Sequence, residues 1–158
     1  MQGFELMISR ALIEAAQTAV DLTPSPIESS WIIKGNPAAH STVLLKSTDG
    51  LAWTMVWQCS EGMFNWYYDV DETILILEGS IVLESDSMSP TRYLPGDVIC
   101  FKDGAHAKWH VEGHVRKLAF FRRTQPFVLG FALRAFSKIK RTVMPARKRR
   151  VVSLMDPH

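Results

Sequence analysis

The 158-residue sequence predicts an all-β domain of the sandwich or barrel type. Two observations carry that prediction. Through the middle of the chain apolar and polar residues alternate with a period of two, and clusters of Gly, Asp, Ser and Pro cut this region into short, fairly evenly spaced segments. Evenly spaced short strands argue for a sandwich or barrel over a chain of βαβ units.

The alternation is clearest at Leu51, Trp53, Met55, Trp57 and Cys59, which share one face of a strand, while Ala52, Thr54 and Gln58 share the other. Further strand segments are Ser41 to Lys46, Glu72 to Glu78, Ser80 to Ser85, Val98 to Phe101, Ala107 to Val111 and Val115 to Phe121. The turns between them fall at Thr48-Asp49-Gly50, Ser60-Glu61-Gly62, Glu78-Gly79, Pro95-Gly96-Asp97 and Lys102-Asp103-Gly104. Gly79 is expected to form a tight hairpin, and Gly96 and Gly104 to adopt turn conformations with positive φ.

Both ends of the chain change period. Phe4, Ile8, Leu12, Ala15 and Ala19 recur at helical spacing with Arg10, Glu14 and Gln17 opposite, which predicts an amphipathic N-terminal helix ending before Pro24. After Thr124, Val128, Ala132, Ala135, Phe136 and Ile139 can share a helix face, with Pro126 in the first turn. The chain therefore divides into a lead-in helix over 1–23, a β domain over 24–124 and a basic C-terminal helix and tail over 125–158.

One domain of this size buries one core and leaves no room for a second. No apolar run approaches the ~20 residues that span a bilayer. The N-terminus carries Glu5 and lacks a secretory pattern, which implies a cytoplasmic protein. Cys59 and Cys100 are too few for a disulfide framework and lack zinc-site spacing, so both are expected in the core. No Gly-x-Ser-x-Gly turn or phosphate-binding glycine loop occurs.

Charge is distributed unevenly. Residues 1–125 hold ten basic against fifteen acidic groups, whereas residues 126–158 hold eight basic groups against Asp156 alone. A tail of this kind can meet an acidic protein surface, an anionic membrane or nucleic acid, or leave its charges in water while its apolar face packs on the barrel or a second subunit. Composition does not choose among these, and specific nucleic-acid binding is not predicted. Exposed strand edges give a physical reason for a homodimer.

Glu72-Thr-Ile-Leu-Ile-Leu-Glu-Gly79 followed by Pro95-Gly96-Asp97-Val98-Ile99 resembles the two signature regions of cupins, the double-stranded β-helix or jelly-roll barrels. More narrowly, the chain resembles the small-cupin family named after (S)-ureidoglycine aminohydrolase. That resemblance rests on Trp31-Ile-Ile-Lys-Gly-Asn-Pro37, Trp57-Gln-Cys-Ser-Glu-Gly-Met-Phe64, Asp71-Glu72, Leu77-Glu-Gly79, Gly96-Asp97, Gly104, Trp109 and Arg116-Lys117, and it runs from about Leu22 to Arg123.

Metal-dependent cupins draw two His and a Glu from the first signature and a third His from the second, a set suited to a divalent transition metal. Counting back from Glu72, the first two histidine positions fall on Trp66 and Tyr68, or on Asn65 and Tyr67 if the loop is one residue longer. The third falls on Ala107, with His106 one residue out of place. Strand parity puts Ala107, Trp109 and Val111 inward and His106, Lys108, His110, Glu112 and His114 outward, unless a bulge at Gly104 or Ala105 rotates His106. No cofactor is therefore expected, and His106 and Glu72 are the remaining weak metal-ligand candidates.

The candidate site is the barrel interior. Trp53, Trp57, Trp66, Tyr68 and Trp109 offer aromatic walls for a small organic ligand, or simply fill the core. Glu72 is the candidate proton carrier, a carboxylate in apolar surroundings, with a surface or hairpin position as its bland alternative. Lys117 lies on an otherwise apolar strand: facing inward it would pair with Glu72 or an anionic substrate, and facing outward it would be solvated. Two functional classes follow. One is a metal-free small-molecule-binding or sensing protein, and the other is a metal-assisted hydrolase of small nitrogenous metabolites, as the narrower resemblance implies. The sequence names no reaction.

Overall fold

A computed structural model describes residues 12–124, and within them the alternation of apolar and polar side chains persists through strands much longer than the turn signals suggest. The strands are β1 (Thr23–Pro24), β2 (Ile32–Gly35), β3 (Ala39–Lys46), β4 (Ala52–Tyr67), β5 (Asp71–Ser85), β6 (Met88–Tyr93), β7 (Val98–Phe101) and β8 (His106–Arg122), with one 3-10 turn at Ser29–Trp31. All pairings are antiparallel, in the order β1-β3-β4-β8-β5-β6, with β2 added to β4 and β7 to β5.

Each long strand serves two layers. The first half of β4 pairs with β3 and its second half with β2. The first half of β5 pairs with β7 and its second half with β6. β8 runs between β4 and β5 along nearly its whole length. The register shifts where the strands pass between layers, at Ser60/Gly62 on β4 and at Gly79/Ile81 on β5, opposite Gly113 of β8. These are bulges, which bend a strand and sharpen its twist. Gly79 has φ +77°, and a Cβ there would collide with the carbonyl oxygen of His114. The predicted hairpin at Gly79 is therefore a bend inside one continuous strand. Ser60-Glu61-Gly62 is likewise a bulge in β4, and Gly113 (φ +77°) bends β8 between its two predicted halves. Gly96 and Gly104 do adopt positive φ in turns.

The inner faces of the two layers meet in one aromatic-rich core built on Trp57, Phe64, Trp109, Ile74, Ile76 and Leu83. Along β8, Ala107, Trp109, Val111, Val115, Lys117 and Ala119 are buried, and the residues between them are partly or fully exposed. Over Ala107, Trp109 and Val111 that is the parity read from the sequence, and Lys117, which the sequence leaves open, faces inward.

The N-terminal prediction is corrected over its second half. Residues 12–22 form no helix, and Leu12 and Ile13 are exposed. Their backbone carbonyls are used elsewhere: Thr18 and Val20 accept from the Arg116 guanidinium, and Asp21 accepts from the Thr42 hydroxyl. A carbonyl committed to a tertiary donor is lost to the i to i+4 ladder, and Thr18 and Val20 are poor helix formers in any case. The first part of that predicted helix, together with the C-terminal helix and basic tail, lies outside the described residues. No described helix is long and apolar enough to cross a membrane.

Candidate functional site

Two charged side chains are buried among the described residues, Glu72 at 2 % exposure and Lys117 at 5 %. Glu72 opens β5 and is paired across to Phe101 on β7 and Phe121 on β8. Lys117 lies two turns of the pleat away on β8, between Trp57 of β4 and Ile76 of β5. Both occupy inward positions, and the ammonium of Lys117 donates to Glu72 Oε1 at 2.7 Å. The same ammonium sits 4.9 Å from the ring centre of Trp57 and 4.7 Å from that of Trp109. Burying two charges is costly. A short charge-assisted bond and two indole faces offset part of that cost, which is how a salt bridge can persist inside an aromatic core.

Behind this pair the rings lock together. Phe64 and Phe101 stack on Trp109, and Trp109 Nε1 donates to the Tyr68 hydroxyl at 3.1 Å. Tyr68 in turn stacks on Phe101 at 4.2 Å. Burial, with the Glu72 charge adding to it, drives the Tyr68 phenol well above its ordinary range, while the Trp109 bond acts the other way. Cys59 is pushed up to about 12 by burial, with Lys117 opposing. A thiol so placed is a packing element and not a nucleophile near neutral pH.

In front of the pair lies a cavity of about 530 Å³, within the size range of small-molecule sites. Its walls are Trp31, Trp53, Trp66, Tyr67, Tyr68, Val70 and Phe121, and Asp69, Glu72 and Arg123 supply the charge. Trp53 and Phe121 stack in parallel at 5.0 Å, the Arg123 guanidinium lies over Trp53 at 5.5 Å from its ring centre, and Trp31 meets Trp66 edge-on at 5.4 Å.

The structure thus sorts the sequence candidates. Trp53, Trp66, Tyr68 and Glu72 line the cavity. Trp57, Trp109 and Lys117 form the layer beneath it. Trp31, Tyr67, Asp69, Phe121 and Arg123 are added. Phe121 could have been found, since it continues the inward parity of Lys117 and Ala119. Trp31 could not, because it reaches the cavity from an irregular 3-10 turn.

The interior does not fit a divalent ion. The positions that the cupin resemblance sets against histidine ligands hold Trp66, Tyr68 and Ala107, and Oε1 of Glu72 is taken by an ammonium. His106 is on the outer face, its ring stacked on Tyr67 at 4.6 Å and its Nε2 3.2 Å from Asn65 Oδ1. No bulge rotates it inward: the register from Asn65↔Lys108 to Tyr67↔His106 is unbroken. Among the described residues no three His, Cys, Asp or Glu side chains converge.

Comparison with known proteins agrees with this architecture. Residues 46–119, just under half of the chain, match the family model of the EutQ-like cupin domain. A protein of unknown function of the DUF861 family from Pseudomonas syringae pv. tomato is similar at 27 % identity and a TM-score of 0.61, over 66 % of this chain and 46 % of its own. The chain thus spans about half the length of that relative. The ethanolamine utilization protein EutQ of Salmonella typhimurium is similar at 18 % identity and a TM-score of 0.50, over 66 % of this chain and 96 % of its own, a likeness of fold alone. No curated protein matches.

Proposed function

We propose that this chain, a member of the cupin superfamily through its EutQ-like domain, binds a small organic metabolite in the barrel without help from a metal. One observation carries the reading. A buried carboxylate, Glu72, is held from behind by Lys117 and lines an aromatic-walled cavity of about 530 Å³. Polar groups buried at a cost to stability and placed at a cavity floor suit recognition: they fix the orientation of a ligand whose bulk is held by apolar walls. Glu72 and Tyr68 would supply polar contacts, and Trp53, Trp66 and Phe121 the walls. The five cavity aromatics on β4, β8 and the 3-10 turn also provide a built-in optical reporter.

The test is a titration of the full chain with a panel of amines, alcohols, carboxylates, amides and sugars, followed by tryptophan fluorescence and calorimetry. A saturable response is expected from at least one class, weakened tenfold or more in Trp53→Ala and unchanged in Arg92→Ala, which alters a remote surface residue. Silence across the panel at millimolar concentration would refute a ligand-binding barrel.

A further inference from the structure

The chemical class of the ligand can be read from the unused half of Glu72; this step rests on the binding reading above. Oε1 accepts from Lys117. Oε2 accepts from no described residue, and it is not among the side-chain atoms sealed in the core without a partner, which are His40 Nδ1 and Thr54 Oγ1. Glu72, although almost wholly buried, is one of the residues that line the cavity. A carboxylate oxygen is acceptor-only when ionised, so its natural complement there is an N–H or O–H donor.

The protein already shows what kind of donor suits these surroundings. On the core side, the Lys117 ammonium rests against one carboxylate oxygen and two indole faces, those of Trp57 and Trp109. At the cavity rim the Arg123 guanidinium lies over Trp53. The buried Lys117 ammonium and the exposed Arg123 guanidinium at the rim are thus both received by tryptophan. The cavity that Glu72 lines offers a comparable set of components, with Trp53, Trp66 and Tyr68 as walls.

We propose that the cavity floor receives the ammonium head of a small primary amine. One N–H is donated to Glu72 Oε2, and the head group is surrounded by the Trp53 and Trp66 rings, so that Glu72 bridges an internal and an external ammonium. Ring quadrupoles favour a desolvated cation over a neutral group of the same shape, and the ionic acceptor strengthens the directional bond. An anionic head at the same place would meet the Glu72 carboxylate.

The experiment compares matched probes on the full chain at neutral pH: benzylammonium with benzyl alcohol and benzoate, and butylammonium with butanol and butyrate, each by calorimetry and tryptophan fluorescence. The ammonium member of each set is expected to bind at least tenfold more tightly than its partners. Glu72→Gln should remove that preference. Because this variant leaves Lys117 buried without its anion, near-ultraviolet circular dichroism checks its fold. Trp66→Leu provides an independent route, since it keeps an apolar wall but lowers affinity for benzylammonium more than for benzyl alcohol. Equal or tighter binding of an alcohol or carboxylate would overturn the ammonium assignment while leaving the cavity as a binding site. Failure of all six probes to bind would overturn this assignment, and the broader panel would then decide the cavity itself.

Discussion

The two ends of the barrel follow the same strand alternation and use it differently. At the bend, where β4, β5 and β8 pass between layers, Val111, Val115 and Ile81 are fully buried, and glycines let the backbones touch. At the other end the inward positions hold Glu72, Trp53, Trp66 and Phe121 around a cavity. One end spends its interior on packing and the other on polar groups that destabilise the fold unless paired. Stability and recognition are therefore separable along the strands, and substitutions at the two ends should have different signatures.

The largest effect is expected at the junction of the two ends. Lys117→Met removes the cation that satisfies Glu72 Oε1 and leaves a buried carboxylate uncompensated. It should cost about 3–5 kcal/mol in urea unfolding, the range typical of a broken buried pair. Glu72→Leu combined with Lys117→Met should recover most of that loss, since an apolar pair of similar volume fits among Trp57, Trp109 and Phe101. If the double variant were as unstable as the single one, the pair would be contributing packing rather than charge.

The bend offers a sharper internal control. Gly79 and Gly113 share φ +77°, but a Cβ on Gly79 meets the His114 carbonyl, whereas one on Gly113 meets nothing. Left-handed backbone alone costs about 1–2 kcal/mol for an alanine. Gly113→Ala should show that cost and Gly79→Ala a clearly larger one, by the same unfolding assay. Equal losses would mean that the strands at the bend can separate freely, and the contrast between a tight and an open end would fail.

How legible was this in the sequence? Part of the inward set of β8 was, because a period of two marks Ala107, Trp109 and Val111; the alternation is interrupted at the exposed Gly113, and periodicity alone leaves Lys117 and Glu72 open between interior and solvent. The bends were not. Ser60-Glu61-Gly62, Gly79 and Gly113 carry turn chemistry, and a bulge inside a long strand needs the same glycine as a hairpin does. Leu12, Ala15 and Ala19 have helical spacing, yet local propensity yields to Arg116, which claims two carbonyls of that segment from nearly a hundred residues away. The site was half visible: Trp53, Trp66 and Phe121 follow strand parity, whereas Tyr67 lies on the opposite parity of β4 and Trp31 and Arg123 reach the cavity from irregular backbone that periodicity does not address.

The two thiols set the packed interior against the surface without changing the fold. Cys59 is buried and raised to about 12, and Cys100 is exposed. At pH 8, iodoacetamide should label one thiol per folded chain and two in denaturant. Because the folded pKa of Cys59 lies above its unfolded value near 9, its contribution to stability is complete below pH 9 and is lost as pH rises toward 12. Cys59→Ala should flatten that part of the stability profile. Rapid labelling of both thiols in the native state would show that the interior at Cys59 opens readily.

The smallest effect is expected from an ion pair that resembles the buried one on paper. Arg92 and Glu112 meet at 2.6 Å, with Ser80 donating to the same carboxylate, on the outer face of β6 and β8. The Arg92 bond, then the Ser80 bond, holds the Glu112 carboxyl below its ordinary value, so any stabilisation exists above that range and fades as the solution is acidified through it. Water competes for both partners, and surface pairs of this kind contribute little. Arg92→Ala should leave the unfolding midpoint at pH 7 within experimental error of the wild type, while Lys117→Met lowers it severely. Two salt bridges of nearly equal length would then differ in consequence because only one of them is shielded from solvent. If Arg92→Ala were as damaging as Lys117→Met, burial would not be what distinguishes the Glu72–Lys117 pair.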